Sequence, residues 1–258
     1  MFIWLKLMAQ QIWQEIINAI AYIFPVIVKP APGTNLTLVN LIAAYNRPVT
    51  ILYPLYIGPS IAAMITLNTS EQNQLIANTI ISAAAAVDIN FIYLAAVINQ
   101  ESCFGVNTVN YNISQTNPVS SFATTDWGIA QFAGTFLPSK EGMAGLSEAQ
   151  MIAKVFDPIW AIPMMAKIYA GNMATAAKNI STNTTLASAV HKLNTPTLTD
   201  DEWLGALYYN RGIQGGNNDV MTNQTSLMAH PYHCATWYAA FTQIFDHVVL
   251  AHEISDKE

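Results

Sequence analysis

The chain has 258 residues, of which 52% are hydrophobic and only 10% charged, against roughly 25% charged in an average soluble domain. Disordered and collagen-like chains are thereby excluded, and there is length for one domain of about 150 to 200 residues plus an added segment. Ten Lys and Arg against sixteen Asp and Glu give a formal charge of -6. That charge offers no footprint for a phosphate backbone, so no nucleic-acid partner is expected.

In residues 1–30, Leu5, Met8, Ile12, Ile16, Ile20 and Phe24 recur at spacings of three and four, opposite a polar face carrying Gln10, Gln14 and Asn18. This pattern predicts an amphipathic helix ending near Pro25, which docks on protein or contacts a membrane. Polar interruptions and the lack of a small-residue cleavage site make it a poor signal peptide. Residues 31–70 are apolar, and 48–70 carry no charge beyond Arg47, a length that meets the requirement for a membrane span. Pro54, Gly58 and Pro59 in the middle of that run predict instead an irregular or short-strand segment buried against protein. Thr69, Ser70, Glu71 and Gln72 then read as a helix start, which puts the boundary of the main domain at 71–258.

Beyond that boundary the periodicity predicts a mainly α-helical chain, with helices over 71–86, 89–101, 147–154, 158–170, 199–210 and 232–252. Asp88 is read as the cap of the second of these. An Asn/Ser/Thr-rich stretch from 105 to 132 predicts a loop with short strands. Trp237, Phe241, Phe245 and Val248 at helical spacing mark the last segment as a docking helix. Cys103 and Cys234 allow one disulfide or two free thiols. His230, His233 and Cys234 match no common zinc spacing and lack a fourth ligand, so neither a metal nor a cofactor is expected.

Carboxylates are scarce in the first half, and two of them stand out. Glu101 closes an apolar helix, with Val97, Ile98 and Phe104 one turn away, so desolvation should raise its pKa and let it hold a proton at neutral pH. Asp126 sits in an alternating strand-like string, Thr125, Asp126, Trp127 and Gly128. A protonated carboxyl paired with a negative group suits glycosidic cleavage through an oxocarbenium-like state. Ser102 is expected either to serve the site or to hydrogen-bond the backbone. Gly128 would permit close approach to a sugar, Gln131 would hydrogen-bond an N-acetyl or hydroxyl group, and Tyr209 would orient the Glu101 carboxyl. Trp127 fits the core better than a sugar platform, and Asn210 beside Gly212 also fits a helix C-cap.

These residues lie in four ordered motifs: LAAVINQESCF at 94–104, TTDWGIAQF at 124–132, Asp157-Pro158 leading a helix, and ALYYNRG at 206–212. Together they resemble the lysozyme-like superfamily, especially the lytic transglycosylases. The family's Glu-Ser pair falls on Glu101 and Ser102, its Gly-Leu-Met-Gln signature is similar to Gly128, Ile129, Ala130 and Gln131, and its Tyr-Asn-x-Gly signature falls on Tyr209, Asn210 and Gly212. The resemblance implies a lysozyme-like α+β domain: a helical bundle with a short β-hairpin over a substrate cleft. It further implies cleavage of the bond between N-acetylmuramic acid and N-acetylglucosamine in peptidoglycan, with Glu101 as acid and then base.

Three outcomes follow from that resemblance. A transglycosylase would release 1,6-anhydro-muramyl products, a lysozyme-type hydrolase would use Glu101 and Asp126 with water, and an inactive virion or envelope protein would keep the fold alone. The transglycosylase is favoured because the Tyr-Asn-x-Gly run belongs to that group. Its expected partners are peptidoglycan glycan strands and, through the amino-terminal segment, a phage virion or cell-envelope assembly.

Overall fold

In the computed structural model of the chain, the residues described are 34–46, 50–55, 58–64, 67–112 and 121–255. The helices among them are α1 (Thr34–Tyr45), α2 (Ser70–Ala86), α3 (Phe91–Ser102), α4 (Glu148–Val155), α5 (Pro158–Thr182), α6 (Thr184–Leu193), α7 (Asp200–Met221) and α8 (Ala229–Ser255). The expected helix over 1–30 lies outside the described residues.

Helix α3 is the hub. Tyr93, Leu94, Ala95, Ala96, Val97 and Ile98 are all fully buried, and a helix apolar on every side must be enclosed on every side. It packs against α8 and α2, while α5 packs against both α2 and α7. The helix starts follow from local chemistry. Thr69 with Gln72, Ser147 with Gln150 and Thr199 with Glu202 form capping boxes, and Asp157 accepts from the Ile159 amide ahead of Pro158 at the first helical position. The cap of α3 is Asn90, whose side chain accepts from the Ile92 amide at 2.8 Å. Asp88, expected to cap this helix, instead turns the chain with a φ of 56°.

Five strands form one antiparallel sheet in chain order: β1 (Thr50–Leu55), β2 (Gly58–Met64), β3 (Thr108–Asn112), β4 (Thr125–Trp127) and β5 (Phe132–Ala133). Pairing of Ala62 with Asn110, of Asn110 with Asp126, and of Asp126 with Ala133 puts these four residues in one row across the sheet. The protein is therefore mainly helical with a small antiparallel sheet.

Three expectations are corrected. The boundary near Ser70 does not separate two units, because Leu38, Leu41 and Ile42 of α1 belong to the same buried core as α3, and β2 pairs with β3. The segment 31–70, read as apolar and irregular, contains helix α1, and its part 48–70, read as irregular or short-stranded, contains the two short strands β1 and β2. Pro54 faces Pro59: Pro54 is on the edge strand β1, and Pro59 precedes Ser60, where the pairing of β2 with β3 begins, so neither missing amide donor breaks a central ladder. Helix α5 does not end near Ala170 but runs through Gly171 to Thr182. A helical glycine costs about 1 kcal/mol, and packing further along, where Ala176 is fully buried and Met173 lies against Gly205 of α7, overrides it. No helix among the described residues is long and apolar enough to cross a membrane.

Candidate active site

Glu101 stands on the last turn of α3, where the buried helix meets the sheet. Its side chain is 14% exposed, and its Oε1 is buried with no hydrogen-bond partner. Burial, and secondarily the negative charge of Asp126, pushes its pKa up to about 8. The carboxyl is therefore protonated at neutral pH. His230 Nε2 lies 3.4 Å from Oε1, a distance that would suit an ion pair. Burial, however, lowers the imidazole pKa to about 4, so the contact joins two neutral groups and no charge pair forms there.

The chain leaves α3 through an unusual turn. Cys103 and Phe104 both take left-handed backbone angles, with φ of 50° and 61°, a conformation that costs non-glycine residues roughly 1 kcal/mol each. Three asparagines hold it. Asn46 Nδ2 donates to the Cys103 carbonyl at 3.2 Å and Asn68 Nδ2 to the Phe104 carbonyl at 2.7 Å, while Asn68 Oδ1 accepts from the Val106 amide at 3.3 Å. Asn68 is itself fixed by Asn46 Oδ1, which accepts its amide, and by Asn73 Oδ1, which accepts from its side chain. The reversal sends the chain into β3, so that the following β4–β5 hairpin comes back beside the end of α3.

On that hairpin Asp126 is half-buried and close enough to Glu101 to disfavour a second negative charge. Tyr209, from α7, reaches the same place. Its hydroxyl donates to the Ala130 carbonyl in the β4–β5 turn, and its pKa is raised well above normal by burial, then by Glu101 and Asp126. Tyr209 thus ties α7 to the hairpin and does not hydrogen-bond Glu101 as expected. Glu101, Asp126 and Tyr209 are the three anticipated residues that come together.

The other candidates have different employment. Ser102 is 4% exposed and its hydroxyl donates to the Ile98 carbonyl at 3.1 Å, which is the backbone alternative. Gly128 has a φ of 76°, and a Cβ there would sit 2.4 Å from the Val155 carbonyl oxygen. Its missing side chain admits α4, and the expected approach to sugar is replaced by protein. Gln131 donates from Nε2 to the carbonyls of Gly128 (2.7 Å) and Thr108 (3.2 Å), so its amide braces the hairpin against β3. Trp127 is packed between Phe122 and Phe156 and donates to the Phe122 carbonyl. Asn210 is exposed just before Gly212, whose φ of 70° and ψ of 163° break α7. The arrangement agrees with a helix end there. Cys103 and Cys234 are free thiols.

Two residues at the site were not anticipated in this role. Tyr169 of α5 is fully buried, its hydroxyl lies 3.1 Å from His230 Nε2, and its ring stacks on Tyr209 at 4.5 Å. In the sequence, His230 of α8 stands out only as part of a His/Cys cluster. Their contacts with Glu101 and Tyr209 are long-range, and no local period in the sequence encodes them. A surface cleft of ≈ 250 Å³ lined by Glu141, Lys154, Trp160 and Lys167 includes none of these groups.

No family model matches the chain, and no curated protein matches it.

Proposed function

We propose that this protein is a peptidoglycan lytic transglycosylase with a lysozyme-like fold. What carries the reading is Glu101: a carboxyl at the end of a fully buried helix, protonated at neutral pH, beside a hairpin that carries a second carboxylate. A group in that state is a general acid.

In the proposed reaction Glu101 gives its proton to the glycosidic oxygen as the bond from that oxygen to the muramyl C1 breaks. The resulting carboxylate then takes the proton of the muramyl 6-hydroxyl while its oxygen bonds to C1, closing a 1,6-anhydro ring. Glu101 ends protonated, and no water is consumed. Asp126, negative and near the acid, would offset the positive charge developing on the sugar ring. Tyr209, anchored on Ala130, would keep α7 and the hairpin in register around the substrate. The expected setting is a virion or a cell envelope, reached by way of the amino-terminal segment.

The electrostatic influence of Asp126 on Glu101 favours one second reading, a lysozyme-type hydrolase in which Asp126 meets C1 or stabilises its charge. Digestion of purified murein followed by product analysis separates them. Anhydro-muramyl ends are expected, reducing muramyl ends would favour the hydrolase, and no digestion would leave a structural protein of the same fold. Asp126→Asn should be mild for a transglycosylase and severe for a hydrolase.

A further inference from the structure

The surface cleft of ≈ 250 Å³ forms where three segments meet: Glu141 and Gly142 from the turn before α4, Lys154 from α4, and Ile159, Trp160 and Lys167 from α5. Trp160 and Lys167 are two helical turns apart and so share one face of α5. The Trp160 ring is half-buried and meets Phe132 edge to face, with centroids 5.7 Å apart. Phe132 belongs to β5, which pairs with the strand carrying Asp126. The cleft therefore lies against the hairpin of the candidate active site.

Two ammoniums face one carboxylate here, in a chain whose formal charge is -6. Lys154 Nζ stands 5.9 Å from the centroid of the Trp160 ring and donates to the Gly142 carbonyl at 3.0 Å. That approach needs a glycine, because a Cβ on Gly142 would lie 3.0 Å from the ammonium and φ there is 73°. Lys167 Nζ donates to Glu141 Oε2 at 3.1 Å, and the two side chains are 58% and 74% exposed. An ion pair that open to water holds its partners weakly. An ammonium has three N–H donors, so each lysine can take another acceptor beside the one it holds. Glu141 already shows Lys167 receiving a carboxylate at the cleft.

We infer that this cleft binds a peptide with free carboxylates: Lys154 and Lys167 take the carboxylates, Lys167 in exchange for Glu141, while Trp160 and the exposed Ile159 pack on the peptide's aliphatic groups. On the transglycosylase reading, on which this identification of the ligand rests, the peptide is the stem of murein. The sugars of a murein strand are uncharged once the lactyl carboxyl is amide-linked to the stem, so the carboxylates of the polymer lie on its stems. The cleft thus reads the peptide of the same polymer on whose sugars Glu101 acts.

Calorimetric titration of the full chain with a synthetic stem tetrapeptide, and with the same peptide carrying amides in place of its carboxylates, tests the site apart from catalysis. Saturable binding of the acid form is expected, with the amide form weaker by about 10-fold or more. Lys154→Gln and Lys167→Gln should each weaken the acid form by about 5- to 10-fold, the loss of one charge-assisted hydrogen bond at a partly exposed position. Lys178→Gln, on the same helix but outside the cleft, should bind like the parent. Glu141→Gln removes the competing carboxylate and should tighten binding by about 2-fold or more. A Glu141→Gln variant that binds more weakly overturns the exchange on Lys167. Absence of saturable binding, equal binding of the acid and amide forms, or undiminished binding by both lysine variants overturns the site. If the acid peptide binds as stated and murein stays intact, the cleft stands as a peptide-carboxylate site and the transglycosylase reading falls. If murein is digested and the peptide does not bind, the cleft alone falls.

Discussion

The side-chain amide of Asn68 donates to the carbonyl of Phe104 at 2.7 Å, and so holds in place the left-handed turn that begins two residues after Glu101. Phe104 is fully buried, and a carbonyl in such surroundings that loses its donor cannot recover one from water. Asn68→Ala also frees the Val106 amide. The substitution should lower stability by about 1 to 3 kcal/mol, read from urea unfolding, and should reduce any activity that depends on Glu101 by disturbing the turn behind it. An unchanged unfolding midpoint would show that the turn is held by other means.

Glu101→Gln keeps the size of the side chain and removes the transferable proton. Murein digestion should fall by at least about 100-fold while the variant unfolds cooperatively like the parent. In the wild type, an acid with a pKa of about 8 is protonated below that value, so digestion should decline as pH rises through about 8. A glutamine variant that retains full turnover would remove Glu101 from the mechanism.

The helix that presents Glu101 was legible because its composition leaves few alternatives: a run of apolar residues from Tyr93 to Ile98 can only be enclosed, and a carboxyl at its end must feel that burial. Helix starts at Thr69 and Ser147 were readable for a similar local reason, since capping boxes are encoded within four residues. Gly128 shows where such legibility ends. A glycine needed by a ligand and one needed by the Val155 carbonyl look the same in a sequence, and only the packing tells them apart. Asn46 and Asn68 were invisible for another reason. Their partners at Cys103 and Phe104 are backbone carbonyls far along the chain, which carry no residue-specific signal. The charge-free hairpin was obscured by Pro54 and Pro59, which argue against a central strand but are tolerated here, Pro54 on the edge strand β1 and Pro59 just before the β2–β3 pairing begins at Ser60.

Gly128→Ala separates the two uses of that glycine. An added Cβ would meet the Val155 carbonyl at 2.4 Å, and the residue would also have to hold a φ of 76°. Both effects act on the folded state, so stability should drop by about 1 to 3 kcal/mol in thermal or urea unfolding, with or without substrate. A variant of undiminished stability that had lost only its affinity for glycan would restore the substrate-facing role.

Burial acts on Glu101 and His230 in opposite senses, and the consequence is a stability profile with two shoulders. The Glu101 pKa rises from 4.5 to about 8 on folding, so between these values the folded chain binds more protons than the unfolded one. Stability contributed by this group therefore falls as pH rises from 4.5 and levels off above about 8. The His230 pKa falls from 6.5 to about 4, so over that interval the unfolded chain binds more protons, and stability is lost as pH drops from 6.5. Between 4.5 and 6.5 the two slopes oppose and largely cancel, leaving a plateau with one decline above it and another below. Urea-unfolding midpoints measured across this range should trace that shape. In Glu101→Gln the decline between 6.5 and about 8 should disappear and the acid decline should widen to span 6.5 down to about 4, because the carboxyl's slope no longer cancels that of His230. An alkaline decline that survives the substitution would assign it to a different group.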